Sequence, residues 1–219
     1  MKKISLILFL AVCHITAKSK TLYVGSDQLY KTITAAIGAT IMQWVYRGTC
    51  WKFGDNVGID GDMMPLEFAL KRELDPAVLK PHFMCGLDPD FPKKVKSGDI
   101  IVAGRRFAQG NPHIQGLIGL RANGLGLVVE SIPRGSFRNA INAGVPFLTQ
   151  CAGVTSQVDT GDDIEVDFRS GRFVNHTRSK TLQFEPLDAQ LLEIIGLGGW
   201  KPAVQKRIAS MRLSPGPAR

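Results

Sequence analysis

The pattern of apolar and polar positions predicts a body in which strands alternate with helices. Ile100–Ala103 is a continuous apolar run, typical of a strand that is covered on both faces. It leads into an apolar-periodic stretch, Asn111–Asn123, for which Asn111 is a good N-cap, Pro112 suits the first turn and Gly124 suits the stop. The sequence therefore predicts a buried strand, a short loop and a helix that begins at Asn111.

The same reasoning gives the other elements. Further strands are predicted at Leu127–Val129, Val145–Leu148, Ile164–Phe168, Arg172–His176 and Leu182–Phe184, and further helices at Leu66–Glu73, Pro76–His82, Gly135–Asn142 and Asp188–Ile195. Strands and helices alternate as far as Leu148, which indicates parallel pairing through crossover helices. After that point Asp167–Val174 predicts a hairpin that turns at Ser170-Gly171. The fold class expected is α/β.

The two ends of the chain differ from this body. An export signal is predicted in residues 1–20 from the charged start at Lys2 and Lys3, the apolar run Ile4–Val12 and a candidate cleavage site at Ile15-Thr16-Ala17. Residues 21–40 resemble the opening of secreted right-handed β-helix proteins, and residues 21–52 as a whole read as an extension foreign to the rest. The expected division is therefore a leader (1–20), an extension (21–52), the body (53–207) and a disordered tail (208–219).

The net charge of +8 lies at the ends of the 219-residue chain. Residues 1–49 hold six basic residues and one acid, and residues 200–219 hold five basic residues and no acid, so the body between them is close to neutral. A nucleic-acid-binding surface is therefore not expected. The nine-residue run Ile4–Val12 is too short to span a membrane.

Cysteine spacing argues against a metal site made by this chain alone. The four cysteines (Cys13, Cys50, Cys85 and Cys151) are scattered, without a CxxC pair or a zinc-finger spacing. We expect reduced thiols and no bound metal.

Cationic residues surround the predicted start of the helix at Asn111. Arg105 and Arg106 follow the buried strand, and His113 lies just inside the helix. Unpaired N–H groups and a positive dipole end favour an anion there. The expected ligand is a carboxylate or a phosphate.

Five segments, in order, resemble the small subunit of 3-isopropylmalate dehydratase, which is the swivel domain of the aconitase superfamily. They are Gly54-Asp55-Asn56-Val57 with Asp60 and Pro65, then Phe91–Arg106, Phe137–Pro146 (FRNAINAGVP), Gly161–Phe168 with the Gly171 turn, and Pro186–Gly199. The resemblance covers about residues 53–207.

The resemblance implies a swivelling β/β/α domain and a hydro-lyase of leucine biosynthesis. Such a small subunit carries no cofactor itself and docks onto a large subunit that holds a [4Fe–4S] cluster. Together they dehydrate and rehydrate a hydroxy di- or tricarboxylic acid. The body would then work in the cytoplasm, in conflict with the signal-like leader. The alternative is an inactive paralogue that keeps a docking or carboxylate-binding role.

The substrate loop departs from the family pattern. The family motif reads approximately GSSREHA, and its Gly corresponds to Gly110. Its first Ser serves as the base and its Arg binds a substrate carboxylate, whereas this chain has Asn111, Pro112 and His113 at the Ser-Ser-Arg positions. An amide cannot act as a base near neutral pH, so the catalytic residue is left open. The substrate-binding residues expected are Arg105, Arg106, Gly110, Asn111 and His113.

Two further groups of residues have a structural and a functional interpretation. The FRNAIN helix carries Arg138, Asn139 and Asn142. These residues either cap the helix and contact the next strand, or they support the substrate loop. The acidic turn Asp55–Asp62 lacks the ligand order of a calcium loop and is expected to approach the partner subunit.

Overall fold

A seven-stranded sheet is the framework of the computed structural model, which describes residues 43–213, with side chains up to residue 211. The strands are β1 (Val45–Phe53), β2 (Ile100–Ala103), β3 (Gly126–Val129), β4 (Phe147–Leu148), β5 (Asp163–Asp167), β6 (Arg172–Asn175) and β7 (Lys180–Gln183). The helices are α1 (Leu66–Leu70), α2 (Pro76–Leu79), α3 (Phe91–Lys94), α4 (Gln115–Ala122), α5 (Arg134–Ala143), α6 (Ala189–Gly196) and α7 (Trp200–Leu213), with 3-10 turns at Lys80–His82 and Val154–Gln157.

One half of the sheet is parallel. Strands β1 to β4 run in the same direction in the order β4-β3-β2-β1, and α4 and α5 form the crossovers between β2, β3 and β4. Every residue of β2 and β3 is buried, because the sheet is covered on both faces. The predicted parallel pairing is confirmed. The register Phe53↔Ala103 brings the ends of β1 and β2 to the same edge.

The other half is an antiparallel meander. β5 pairs with β1, β6 with β5 and β7 with β6. The β5–β6 turn uses Gly171, whose φ of +77° is unfavourable for other residues and whose Cβ would lie 1.9 Å from the Phe184 carbonyl oxygen. The predicted hairpin is confirmed.

The core lies on both sides of the parallel strands. It includes six fully buried phenylalanines: Phe83, Phe91, Phe107, Phe147, Phe168 and Phe173. Phe91, at the start of α3, stacks edge-on against Trp51 and Phe83 at centroid distances of 5.2 and 6.0 Å. The segment between β1 and β2 is thereby packed onto the sheet. No helix within residues 43–213 is long and apolar enough to cross a membrane.

Strand β1 moves the expected start of the body. The sequence predicts a foreign extension over residues 21–52, but Val45–Phe53 pairs with β2 on one side and β5 on the other. The burial of β1 alternates only in part, so the residues do not show a clear strand pattern. The leader and residues 21–42 lie outside the described residues.

Helix boundaries also differ from the sequence prediction, and two differences are large. Helix α4 begins at Gln115 rather than Asn111, and its N-cap residue Ile114 has no side-chain cap. Residues 208–213, expected in a disordered tail, belong to α7, and residues 214–219 lie outside the described part. The predicted stop is confirmed, because Gly124 follows α4 with a φ of +71°.

Candidate active site

Two loops run side by side at the edge where β1 and β2 end. Within them, residues 54–60 and 104–114 form what we call the paired loops. Backbone bonds join them: Asn56 N–H donates to Arg105 O at 2.8 Å, and Ile59 N–H donates to Gln109 O at 2.8 Å. Parallel pairing thus continues beyond the strands and places the polar residues of both loops together.

Arg105 is paired with Asp55. Its Nε and Nη2 donate to Asp55 Oδ2 at 2.9 and 2.7 Å, and its backbone N–H donates to Asp55 Oδ1 at 2.7 Å. The backbone N–H and the guanidinium hold the pKa of Asp55 below its usual value. The charge of Arg105 is therefore compensated, and the pair fastens one loop to the other.

Arg106 is held differently. Its backbone has a φ of +56°, its N–H donates to Ser131 Oγ at 2.9 Å, and its Nε donates to Asn56 Oδ1 at 2.6 Å. Among the described residues it makes no ion pair with a carboxylate. Arg106 is exposed, so its positive charge is available to an anionic ligand.

His113 lies against Asp60. Its Nδ1 is 2.8 Å from Oδ1 and 2.9 Å from Oδ2 of that carboxylate. Its Nε2 is 3.3 Å from Nδ2 of Asn111. The His113 side chain is 28% exposed, so solvent reaches it.

Helix α5 supports the loop from the other side. Asn139 Nδ2 donates to the Pro112 carbonyl at 2.6 Å, and the buried Ser136 Oγ donates to Ala108 O at 2.6 Å. The side chains of Arg138 and Asn142 are exposed and make no hydrogen bond or ion pair with the described residues. Of the three residues considered on this helix, the structure brings only the Asn139 side chain to the loop.

The predicted anion site at a helix N-terminus is wrong in one respect. Because α4 begins at Gln115, the N–H groups near Asn111 are not those of a first helical turn. Asn111 is a loop residue beside His113, and Gly110 precedes it with a φ of +110°. The expected residues do lie on one loop, and Arg105, Arg106 and His113 are held there by side-chain partners rather than by a helix dipole.

Sequence reasoning missed the partners of these cations. The sequence predicts that Asp55, Asn56 and Asp60 belong to a turn that approaches the partner subunit, and it gives no signal for Ser131. Their role depends on β1 lying next to β2, which the sequence pattern did not indicate. Once β1 is placed beside β2 in parallel, the loops that follow the two strands are expected to lie next to each other.

The described residues do not fit an iron–sulfur cluster. They include no group of three or more His, Cys, Asp or Glu side chains that could hold a metal ion. Burial raises the pKa of the Cys50 and Cys151 thiols to about 12, so both are neutral at ordinary pH.

Comparison with known proteins decides the family. No family model matches the chain. A 3-isopropylmalate dehydratase small subunit from Pyrobaculum neutrophilum is 42% identical over 154 residues, which are 70% of this chain and 92% of that protein. The chain belongs to the 3-isopropylmalate dehydratase small-subunit family.

Other members and a solved structure agree with this assignment. The isopropylmalate/citramalate isomerase small subunit of Methanocaldococcus jannaschii is 38% identical over 169 residues, 77% of this chain and 98% of that protein. The crystal structure of 3-isopropylmalate dehydratase from that organism matches with a TM-score of 0.68 and 33% identity, covering 77% of this chain and 98% of that one. The expected α/β small-subunit fold is confirmed.

Proposed function

We propose that this chain is the small subunit of a hydro-lyase that dehydrates and rehydrates a hydroxy dicarboxylic acid of the isopropylmalate or citramalate type. The observation that carries the proposal is the match to the M. jannaschii isomerase small subunit over 98% of that protein. The reaction would belong to leucine biosynthesis. The relatives are named as subunits of working enzymes, so nothing favours an inactive paralogue.

A large subunit that holds a [4Fe–4S] cluster is part of the proposal. The described residues of this chain include no group that could bind the cluster, so the metal would lie on the partner. The small subunit would close over the substrate with the edge formed by the paired loops. Closure excludes water and fixes the orientation of the acid.

Arg106 would bind a substrate carboxylate. Its guanidinium is exposed and has a neutral partner, Asn56, whereas Arg105 is engaged by Asp55. Gly110 and Asn111 would border the same carboxylate group, and His113 would contact the substrate beside it. Asn139 would position them through Pro112.

The residues before β1 would not be needed for this activity. A leader at 1–20 and an extension up to the start of β1 would precede the working body. The body would act in the cytoplasm, because a partner with an iron–sulfur cluster needs reducing surroundings.

The test is to express the full chain with an iron–sulfur large subunit and to measure hydration of isopropylmaleate without oxygen. We expect the two subunits to purify together and to turn over the unsaturated acid. Turnover with none of the related acids, in spite of a stable complex, would contradict the proposal.

A pair of matched variants tests the carboxylate role. Arg106→Gln removes a charge-assisted bond, and such bonds are typically worth about 1.5–3 kcal/mol, which corresponds to a KM raised about 10- to 100-fold. Arg172→Gln removes an exposed arginine that pairs with Glu165 on the antiparallel half. We expect the second variant to keep the KM of the wild type.

A further inference from the structure

The contact with Asp60 fixes which nitrogen of His113 carries the proton. An ionised carboxylate only accepts hydrogen bonds, and both oxygens of Asp60 lie within 2.9 Å of Nδ1. Nδ1 is therefore the protonated nitrogen. In the neutral ring the lone pair then lies on Nε2, which faces away from Asp60.

The surroundings of Nε2 leave it open to a ligand. Its contact within the described residues is the Asn111 amide at 3.3 Å, where the nitrogen of that amide donates to it. Asn111 is exposed, so a substrate can displace this long bond. The ring itself is only 28% exposed and is thus held at the surface rather than free in solvent.

Hydrogen bonds hold the backbone on which Asp60 and His113 lie. Asp60 follows Ile59, whose N–H donates to Gln109 O at 2.8 Å, and Asp60 itself forms a bridge with Met64. His113 follows Pro112, whose carbonyl accepts from Asn139, and the His113 N–H donates to Asn111 O at 2.7 Å. Catalytic groups need this kind of support to keep a productive geometry.

We propose that His113 is the group that takes and returns the substrate proton, oriented by Asp60. Asn111 cannot do so, because an amide is neither acidic nor basic near neutral pH. In the dehydration direction, Nε2 removes a proton from the carbon next to the one that bears the hydroxyl. The electron pair of that C–H bond forms the double bond, and the C–O bond breaks to release hydroxide. The proton on Nε2 and the hydroxide together account for the water lost.

Asp60 is then a positioning residue, whereas His113 is a catalytic residue. This role rests on the proposed function, because it needs the hydro-lyase reaction to occur. A purely structural pair, which only fastens the two loops, is the competing explanation. The two explanations differ in what happens when the ring is removed and a free imidazole is supplied.

The test uses the complex of the full chain with its iron–sulfur large subunit. We expect His113→Ala to lower kcat about 100-fold or more with little change in KM, because general base catalysis typically contributes about 10²- to 10⁴-fold. Free imidazole should restore part of the lost rate. The matched control is His176→Ala, which removes a second histidine paired with a carboxylate, Glu165 at 3.4 Å, on the antiparallel half. It should keep the wild-type rate with and without imidazole.

Asp60→Asn tests the positioning role. It should lower kcat by a smaller factor, about tenfold, and should have no further effect when added to His113→Ala, because residues that act through one another are not additive.

The outcomes separate the two proposals. An inactive wild-type complex contradicts the proposed function itself. An active wild type together with a fully active His113→Ala variant overturns only the role of His113. A lost rate that imidazole does not restore, in a variant that still purifies with the large subunit, also overturns it and favours the structural pair.

Discussion

Asp99 is the buried carboxylate that ties β1 to the start of β2. It is 4% exposed. Its Oδ1 accepts from the Thr49 N–H at 2.9 Å, and its Oδ2 accepts from Trp51 Nε1 at 3.0 Å and the Lys96 N–H at 2.9 Å. The perturbation is Asp99→Asn, which keeps the size of the side chain and replaces one acceptor oxygen with a donor NH2 group.

The structure gives the size of the effect. An asparagine oxygen in the Oδ2 position keeps two bonds, but the NH2 group then faces the Thr49 N–H, which loses its acceptor. Leaving a buried donor unpaired costs about 1–3 kcal/mol, and bonds to a neutral oxygen are weaker than bonds to a charged one by about 1 kcal/mol each. Relief of the buried charge offsets part of this. We expect a net loss of about 2–4 kcal/mol in the free energy of unfolding.

Urea denaturation of the full chain measures this loss. The matched control is Asp163→Asn, which removes an exposed ion pair with Arg47 and should cost at most about 1 kcal/mol. If Asp99→Asn stays within about 1 kcal/mol of the wild type, the bonds to Asp99 do not hold β1 in place, and the reasoning is refuted.

Two further predictions concern the paired loops. Gly135→Ala places a Cβ 2.7 Å from Pro112 Cβ, so we expect near-wild-type unfolding in urea but reduced turnover in the complex. The control is Gly196→Ala in α6, where the nearest atom to the added Cβ is Trp44 Cζ2 at 3.2 Å, and equal turnover of the two variants would refute the clash. The backbone N–H and the guanidinium of Arg105 lower the pKa of Asp55 in the folded protein. The hydrogen bonds to the Asp55 carboxylate therefore stabilise the protein fully at a pH above the ordinary carboxyl pKa, and this stabilisation is lost as the pH falls through the lowered pKa. The difference in unfolding free energy between the wild type and Asp55→Asn should therefore shrink between about pH 5 and pH 2, and a difference independent of pH would contradict this.

Local patterns were sufficient for the buried strands and most helices. Ile100–Ala103 matches β2 residue for residue, because a strand covered on both faces is apolar throughout. The FRNAIN helix was predicted within one residue at each end, since Gly144 stops it in a left-handed conformation.

Contacts between residues distant in sequence explain the errors. Asn111 and Pro112 have the local features of a helix start, but Asp60 and Asn139 hold this segment as a loop from 53 and 27 positions away. Strand β1 contains Gly48, where a Cβ would lie 2.6 Å from Asp99 Oδ1. A glycine within a strand weakens its sequence pattern, and the need for glycine at position 48 arises from the close approach of Asp99, which is distant in sequence.

The arrangement of the candidate site was less accessible than the fold. Arg105, Arg106 and His113 lie on one loop, and the partners of their side chains lie on the loop after β1. Without β1 in the sheet, nothing in the sequence distinguished the compensated Arg105 from the available Arg106. Their binding roles remain predictions.

Hydrogen exchange in the complex tests the central claim, that substrate binds at the edge formed by the paired loops. The amide exchange rates of the small subunit are compared with and without isopropylmalate, in the presence of the iron–sulfur large subunit. We predict slower exchange in residues 54–60 and 104–114, with the β5–β7 meander unchanged. Unchanged exchange in the paired loops, with protection elsewhere on this chain, would contradict the account.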